Sequence, residues 1–126
     1  MTNYLAVFIG GGLGSILRYF ISVLFIKHVS HSFPFGTFVV NLIGCLFIGF
    51  ILALSFHKPN LCGSSFLLFL TVGFAGGFTT FSTFSYEAFA LIKNAETPTA
   101  VLYIALSVLL GLIAVYIGTL LGRAFN

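Results

Sequence analysis

The sequence predicts an all-α integral membrane protein: four transmembrane helices in a single domain, residues 1–126, with the third helix broken mid-membrane. Composition, segment length and an unusual polar stretch point there. Of the 126 residues, 60% are hydrophobic and only 6% are charged. A soluble domain carries about 25% charged residues, so this chain cannot cover a surface that faces water. Its apolar stretches reach the roughly 20 residues a helix needs to cross hydrocarbon. Each must be helical, because the bilayer core offers an open backbone no water partners.

The first span is expected at 4–26, from Tyr4 to Ile26. No basic region precedes it, and it is longer than the apolar core of a cleaved signal peptide. It is read as a retained span. The second, 35–56, follows His31-Ser-Phe-Pro34. The third, 65–92, follows the loop His57-Lys-Pro-Asn60. The fourth, 98–122, follows Lys93-Asn-Ala-Glu-Thr97 and opens on Pro98, a residue tolerated in the first turn of a helix. Cys45 falls mid-span and Cys62 near a loop, so a disulfide between them is not expected. The net charge of +3 with no basic stripe argues against nucleic acid as a partner.

The loop charges are balanced. Lys27 and Lys93 fall on one side of the membrane, Lys58 and Arg123 on the other, and Arg18 lies inside span one. Positive charge normally marks the cytoplasmic side. Either a weak bias is hidden by the boundaries, or the chain inserts both ways and pairs with its inverted copy. Small residues mark packing faces: Gly10 with Gly14, Gly73 with Gly77, and Ser107, Gly111, Ala114, Gly118 and Gly122 on span four. Such faces let helices approach closely. Four helices enclose little alone, so an oligomer is expected.

Polar residues inside a span are costly and default to functional candidates. Asn41 shares a helical face with Thr37, Gly44 and Cys45. Its amide either ties helices together or lines a pathway. Arg18 either snorkels onto a carbonyl or forms a positive vestibule for anions. No carboxylate in spans one or two neutralises it, which favours an anion over a cation.

The third span holds the oddest stretch. Seven of the twelve residues from Gly76 to Glu87 carry a hydroxyl or a carboxyl. Gly73, Gly76 and Gly77, with Thr79 and Thr80, weaken the helix there, since glycine costs about 1 kcal/mol per helical position. Broken helices at membrane depth line ion sites, and freed carbonyls suit a small cation such as sodium. With helix assumed from Phe78, Phe78, Phe81 and Phe84 share one arc bordered by Ser82 and Ser85, and Thr80 and Glu87 lie opposite. Three phenylalanines at this spacing are ordinary core, yet a ring edge is positive and can attract a partly dehydrated anion without trapping it. On span four, Tyr103 and Ser107 share a face. Tyr103 also fits an interfacial anchor.

Other functions fit less well. A small multidrug-type proton-coupled exporter needs a membrane-embedded carboxylate, and only Glu87 qualifies. His28, His31 and His57 bring no acidic or thiol partner to complete a metal site, and no nucleophile has a base beside it, so no enzyme is expected. A purely structural assembly protein would explain the glycines but not Asn41 and Arg18 together.

Three segments carry a resemblance. Gly10-Gly-Gly-Leu-Gly-Ser-Ile-Leu-Arg-Tyr19, Gly36-Thr-Phe-Val-Val-Asn-Leu-Ile-Gly44 and Gly73-Phe-Ala-Gly-Gly-Phe-Thr-Thr-Phe-Ser-Thr-Phe-Ser-Tyr-Glu87 resemble the bacterial fluoride channels, the Fluc or CrcB family. The likeness covers all four spans, and its third segment is the most specific. It implies an antiparallel, dual-topology homodimer in the bacterial inner membrane, with two pores for passive export of fluoride. Phe81 and Phe84 resemble the pore phenylalanines, Asn41 the pore asparagine, and Ser82 and Thr83 hydroxyls of a polar track. Gly76 and Thr79 resemble the positions whose carbonyls hold a central structural sodium ion. Arg18 matches the arginine of the first span. Tyr103 and Ser107 match the start of a track on the last, where Gly111 and Val115 then depart from the pattern by lacking hydroxyls.

Overall fold

The structure is a computed structural model that describes residues 1–28, 33–57 and 63–125. The expectations for His31, Lys58 and Cys62 fall outside these residues. Helix α1 runs Thr2–His28 and α2 runs Phe35–His57. The third span begins as α3, Ser64–Leu68, widens into a π-helix over Phe69–Ala75 and tightens again as α4, Gly76–Phe78. After a break it resumes as α5, Phe81–Lys93, and α6 follows at Thr97–Ala124. All four expected spans are long and apolar enough to cross a membrane. The 23 residues of α2 reach about 35 Å at 1.5 Å per residue, against a hydrocarbon core of roughly 30 Å. Large apolar side chains such as Leu13, Phe20, Leu112 and Tyr116 face outward, where lipid rather than water is the solvent.

Two glycine contacts organise the bundle. Gly10 and Gly14 of α1 meet the third span: a Cβ on Gly10 would overlap the Phe69 carbonyl, and one on Gly14 would overlap that of Phe74. Gly77 meets the backbone of Gly11 in the same way. On the other side α2 packs along α6. Gly49 faces the Val115 carbonyl, Gly118 that of Leu46, and Gly122 that of Phe50. The small-residue faces read from the sequence thus bring backbones together within one chain.

The break itself differs from expectation. Gly73, Gly76 and Gly77 are helical. The chain leaves the helix at Thr79 (φ −83°, ψ 160°) and Thr80 (φ −149°, ψ 120°) instead. Gly73 and Gly77 serve close packing, and the interruption falls at Thr80 because its N–H and carbonyl find partners outside the helix, while Thr79 N–H still bonds Ala75. The phase of α5 is therefore not that of α4. Phe78 is buried at 2% exposure, whereas Phe81 is 79% exposed, so the three phenylalanines do not share an arc.

The turn from α5 into α6 closes tightly. Ala95 N–H donates to the Ile92 carbonyl and Glu96 N–H to that of Leu91, with Ala95 in the left-handed region at φ 61°. This is the Schellman pattern, in which glycine is the usual left-handed residue.

Candidate ion pathway at the broken helix

The site is built where α2 faces the break. Gly44 leaves room for Thr79, since a Cβ there would overlap the Thr79 methyl. One turn earlier, Asn41 receives Thr80. Thr80 N–H donates to Asn41 Oδ1 at 2.9 Å, and Asn41 Nδ2 donates to the Thr80 carbonyl at 3.1 Å. An extended residue at membrane depth would otherwise leave both backbone groups unpaired, at a cost of several kcal/mol each. The asparagine is thus a tie between helices, and one of its two N–H donors remains.

The break also redirects carbonyls. In a continuous helix the Gly76 carbonyl would take Thr80 N–H and the Thr79 carbonyl would take Thr83 N–H. Thr80 N–H goes to Asn41, and Thr83 N–H goes to Thr80 Oγ1 at 3.2 Å, which caps α5. Ala75 and Gly77 keep donors. Thr79 contributes its N–H and its hydroxyl to Ala75, while Ser15 Oγ and Arg18 Nε donate to Gly77.

A cavity of about 470 Å³ opens beside the break. Asn41, Gly76, Thr79, Phe81, Phe84 and Ser107 are among the residues that line it, and none of the lining side chains is charged. Phe81 and Phe84 stand 5.8 Å apart, tilted by 40°. The Ser107 hydroxyl is buried and finds no partner among the described residues. Ser82 and Thr83 join through Thr80, whose hydroxyl lies 3.2 Å from Ser82 and 3.1 Å from Thr83.

Four expected residues stand apart from the cavity: Ser82 and Thr83, and with them Arg18 and Tyr103. Arg18 does not line the cavity; it reaches a carbonyl on the far side of the break. Tyr103 is fully buried, not an interfacial anchor. Its ring packs on Phe84 at 5.1 Å, and its hydroxyl donates to Glu87 Oε2 at 2.9 Å. Thr37 donates to Glu87 Oε1 at 2.8 Å. Sequence reasoning did not place Thr80 at the cavity, nor Thr37 and Glu87 in one hydrogen-bonded group with Tyr103. An extended residue at a break has no periodic signal, and each contact joins segments far apart in the chain.

The family described as CrcB-like protein, Camphor Resistance (CrcB), matches residues 5–119. The chain belongs to the CrcB family. Relatives named "Fluoride-specific ion channel FluC" agree along its length. That of Chloroflexus aurantiacus is 44% identical over 126 residues, covering 100% of this chain and 99% of its own. That of Bacteroides fragilis is 44% identical over 129 residues, covering 100% of both. The Azobacteroides pseudotrichonymphae protein is 44% identical over 93% of each chain. This CrcB protein is a multi-pass membrane protein, and the relatives it matches are named as channels, not enzymes.

Proposed function

We propose that this chain is a fluoride-selective channel for passive export of fluoride across the bacterial cytoplasmic membrane, conferring fluoride resistance. It works as an antiparallel homodimer inserted both ways, with two pores. The shared name of the full-length relatives supports the substrate, and the balanced loop charges support the dual insertion.

One observation carries the reading: the cavity beside the break is lined by an amide, hydroxyl-bearing side chains and two phenylalanine rings and by no charged side chain. Fluoride holds its water strongly, so a pathway must replace that water with donors and still release the ion. Asn41 and Ser107 supply donors in the cavity, Ser82 and Thr83 continue them beyond Thr80, and Tyr103 stands behind Phe84. The edges of Phe81 and Phe84 supply weak positive potential. Arg18, whose terminal guanidinium nitrogens have no partner among the described residues, favours the approach of an anion.

A structural sodium ion fits the donor set at Gly76 and Thr79. Both carbonyls have lost the N–H that a continuous helix would give them, and they are hard, neutral oxygens at the negative end of a half-helix. When bound, sodium supplies positive charge that offsets the cost of an anion in low dielectric.

The proton-coupled exporter is the alternative. It needs a carboxylate in the pathway, and Glu87 does not line this cavity; its two oxygens are held by Thr37 and Tyr103. The experiment that decides is ion efflux from liposomes, read with fluoride and chloride electrodes. Fast fluoride efflux with chloride retained is expected. Fluoride retained by intact dimer would reject the channel.

A further inference from the structure

Three hydroxyls meet at the start of α5, on Thr80, Ser82 and Thr83. A hydroxyl has one proton to donate and two lone pairs to accept with. Thr80 donates its proton to Thr83 Oγ1 at 3.1 Å and accepts Thr83 N–H at 3.2 Å. Its contact with Ser82 at 3.2 Å fits a donor on either side. With the Thr80 proton already committed, Ser82 is the donor there. The Thr83 proton is then the one of the three left without an acceptor among the described residues. Across Thr80, the Asn41 amide keeps its second N–H in the same way.

We propose that Thr80 is a positioning residue for the anion: by donating to Thr83, it leaves the Thr83 hydroxyl free to act as a donor toward a small, partly dehydrated anion. The assignment deepens the channel reading and rests on it. Thr80 acts through its neighbours. Its backbone is fixed by Asn41, and its hydroxyl decides which way the Thr83 proton points. Without that hydroxyl nothing anchors Thr83 Oγ1, and its side chain is released to turn its O–H back onto the helix backbone, the usual alternative for threonine in a helix. The donor is then withdrawn from the pathway although Thr83 is still present.

The test is fluoride efflux from liposomes holding wild type, Thr80→Val, Thr80→Ser, Thr83→Val and the double variant Thr80→Val/Thr83→Val, each confirmed to be the same oligomer by gel filtration. Thr80→Val is expected to slow efflux roughly tenfold or more, as loss of a hydrogen bond to an ion does. Thr80→Ser, which keeps the hydroxyl, restores it. Because Thr80 acts through Thr83, the double variant is no slower than the slower single one. Should Thr80→Val not assemble, Thr80→Asn replaces it in the same cycle; its side-chain carbonyl caps the Thr83 N–H but it has no hydroxyl. Wild-type rates in the Thr80 variant, or losses that multiply in the double, would overturn the assignment. Wild-type liposomes that retain fluoride would instead reject the channel reading itself.

Discussion

Asn41 pairs with the backbone of Thr80 through two hydrogen bonds, 2.9 and 3.1 Å long, across 39 positions of sequence. The pair does what a neighbouring strand does for an extended residue. It lets a membrane helix open without stranding its N–H or its carbonyl. Asn41→Asp keeps the acceptor and loses the donor, placing a carboxylate oxygen against the Thr80 carbonyl. Losing such a bond costs about 1–3 kcal/mol. Fluoride efflux from liposomes should fall about tenfold or more. Unchanged efflux would remove Asn41 from the pathway.

Phe81 presents its ring to the cavity and Phe84 links it to Tyr103. Isoleucine keeps an apolar side chain and removes the aromatic edge. Phe81→Ile and Phe84→Ile are each expected to slow fluoride efflux by about two- to tenfold, taking the ring's electrostatic contribution at roughly 0.5–1.5 kcal/mol. Gel filtration should find the oligomer unchanged. Intact flux in both variants would remove the rings from the mechanism.

Glycines that look alike in sequence should behave differently. Gly14→Ala drives a methyl into the Phe74 carbonyl, whereas a Cβ on Gly12 meets nothing within 4 Å. Overpacking costs about 1–3 kcal/mol. Thermal unfolding in detergent should show Gly14→Ala clearly destabilised and Gly12→Ala close to wild type. Equal stabilities would contradict the packing of α1 on the third span.

Ala95 sits at φ 61° to close α5. An L-residue there costs roughly 1–2 kcal/mol that glycine avoids. Part of that gain is offset by the greater freedom of glycine in the unfolded chain. Ala95→Gly should raise the unfolding temperature modestly and leave fluoride efflux unchanged. A lowered unfolding temperature would count against the left-handed turn.

Spans, their order and the packing faces were legible because they depend on composition and short spacing. Gly10 with Gly14 and Gly73 with Gly77 announced close contacts, and they make them between α1 and the third span, Gly10 on Gly73, Gly14 on Phe74 and Gly77 on Gly11. The position of the break was not legible. Helix propensity placed it on the glycines, but tight packing holds Gly73 and Gly77 in helix. The partner that stabilises an extended Thr80 comes from α2. Once the break shifts, helical phase cannot be carried from Phe78 to Phe81. Tyr103 escaped for a related reason: its hydroxyl is buried because Glu87, far along another helix, receives it. Asn41, Phe81, Phe84 and Ser107 line one cavity with Gly76 and Thr79, whereas Ser82, Thr83, Tyr103 and Arg18 do not, so the sequence motifs grouped part of the candidate set without describing its geometry.

The central claim is that the uncharged cavity at the break conducts fluoride. Its most direct test is efflux from liposomes containing the purified protein, followed with a fluoride electrode and, in a matched run, a chloride electrode. The account predicts rapid fluoride release with chloride held inside. Fluoride held inside by folded, assembled protein, or both anions released alike, would contradict it.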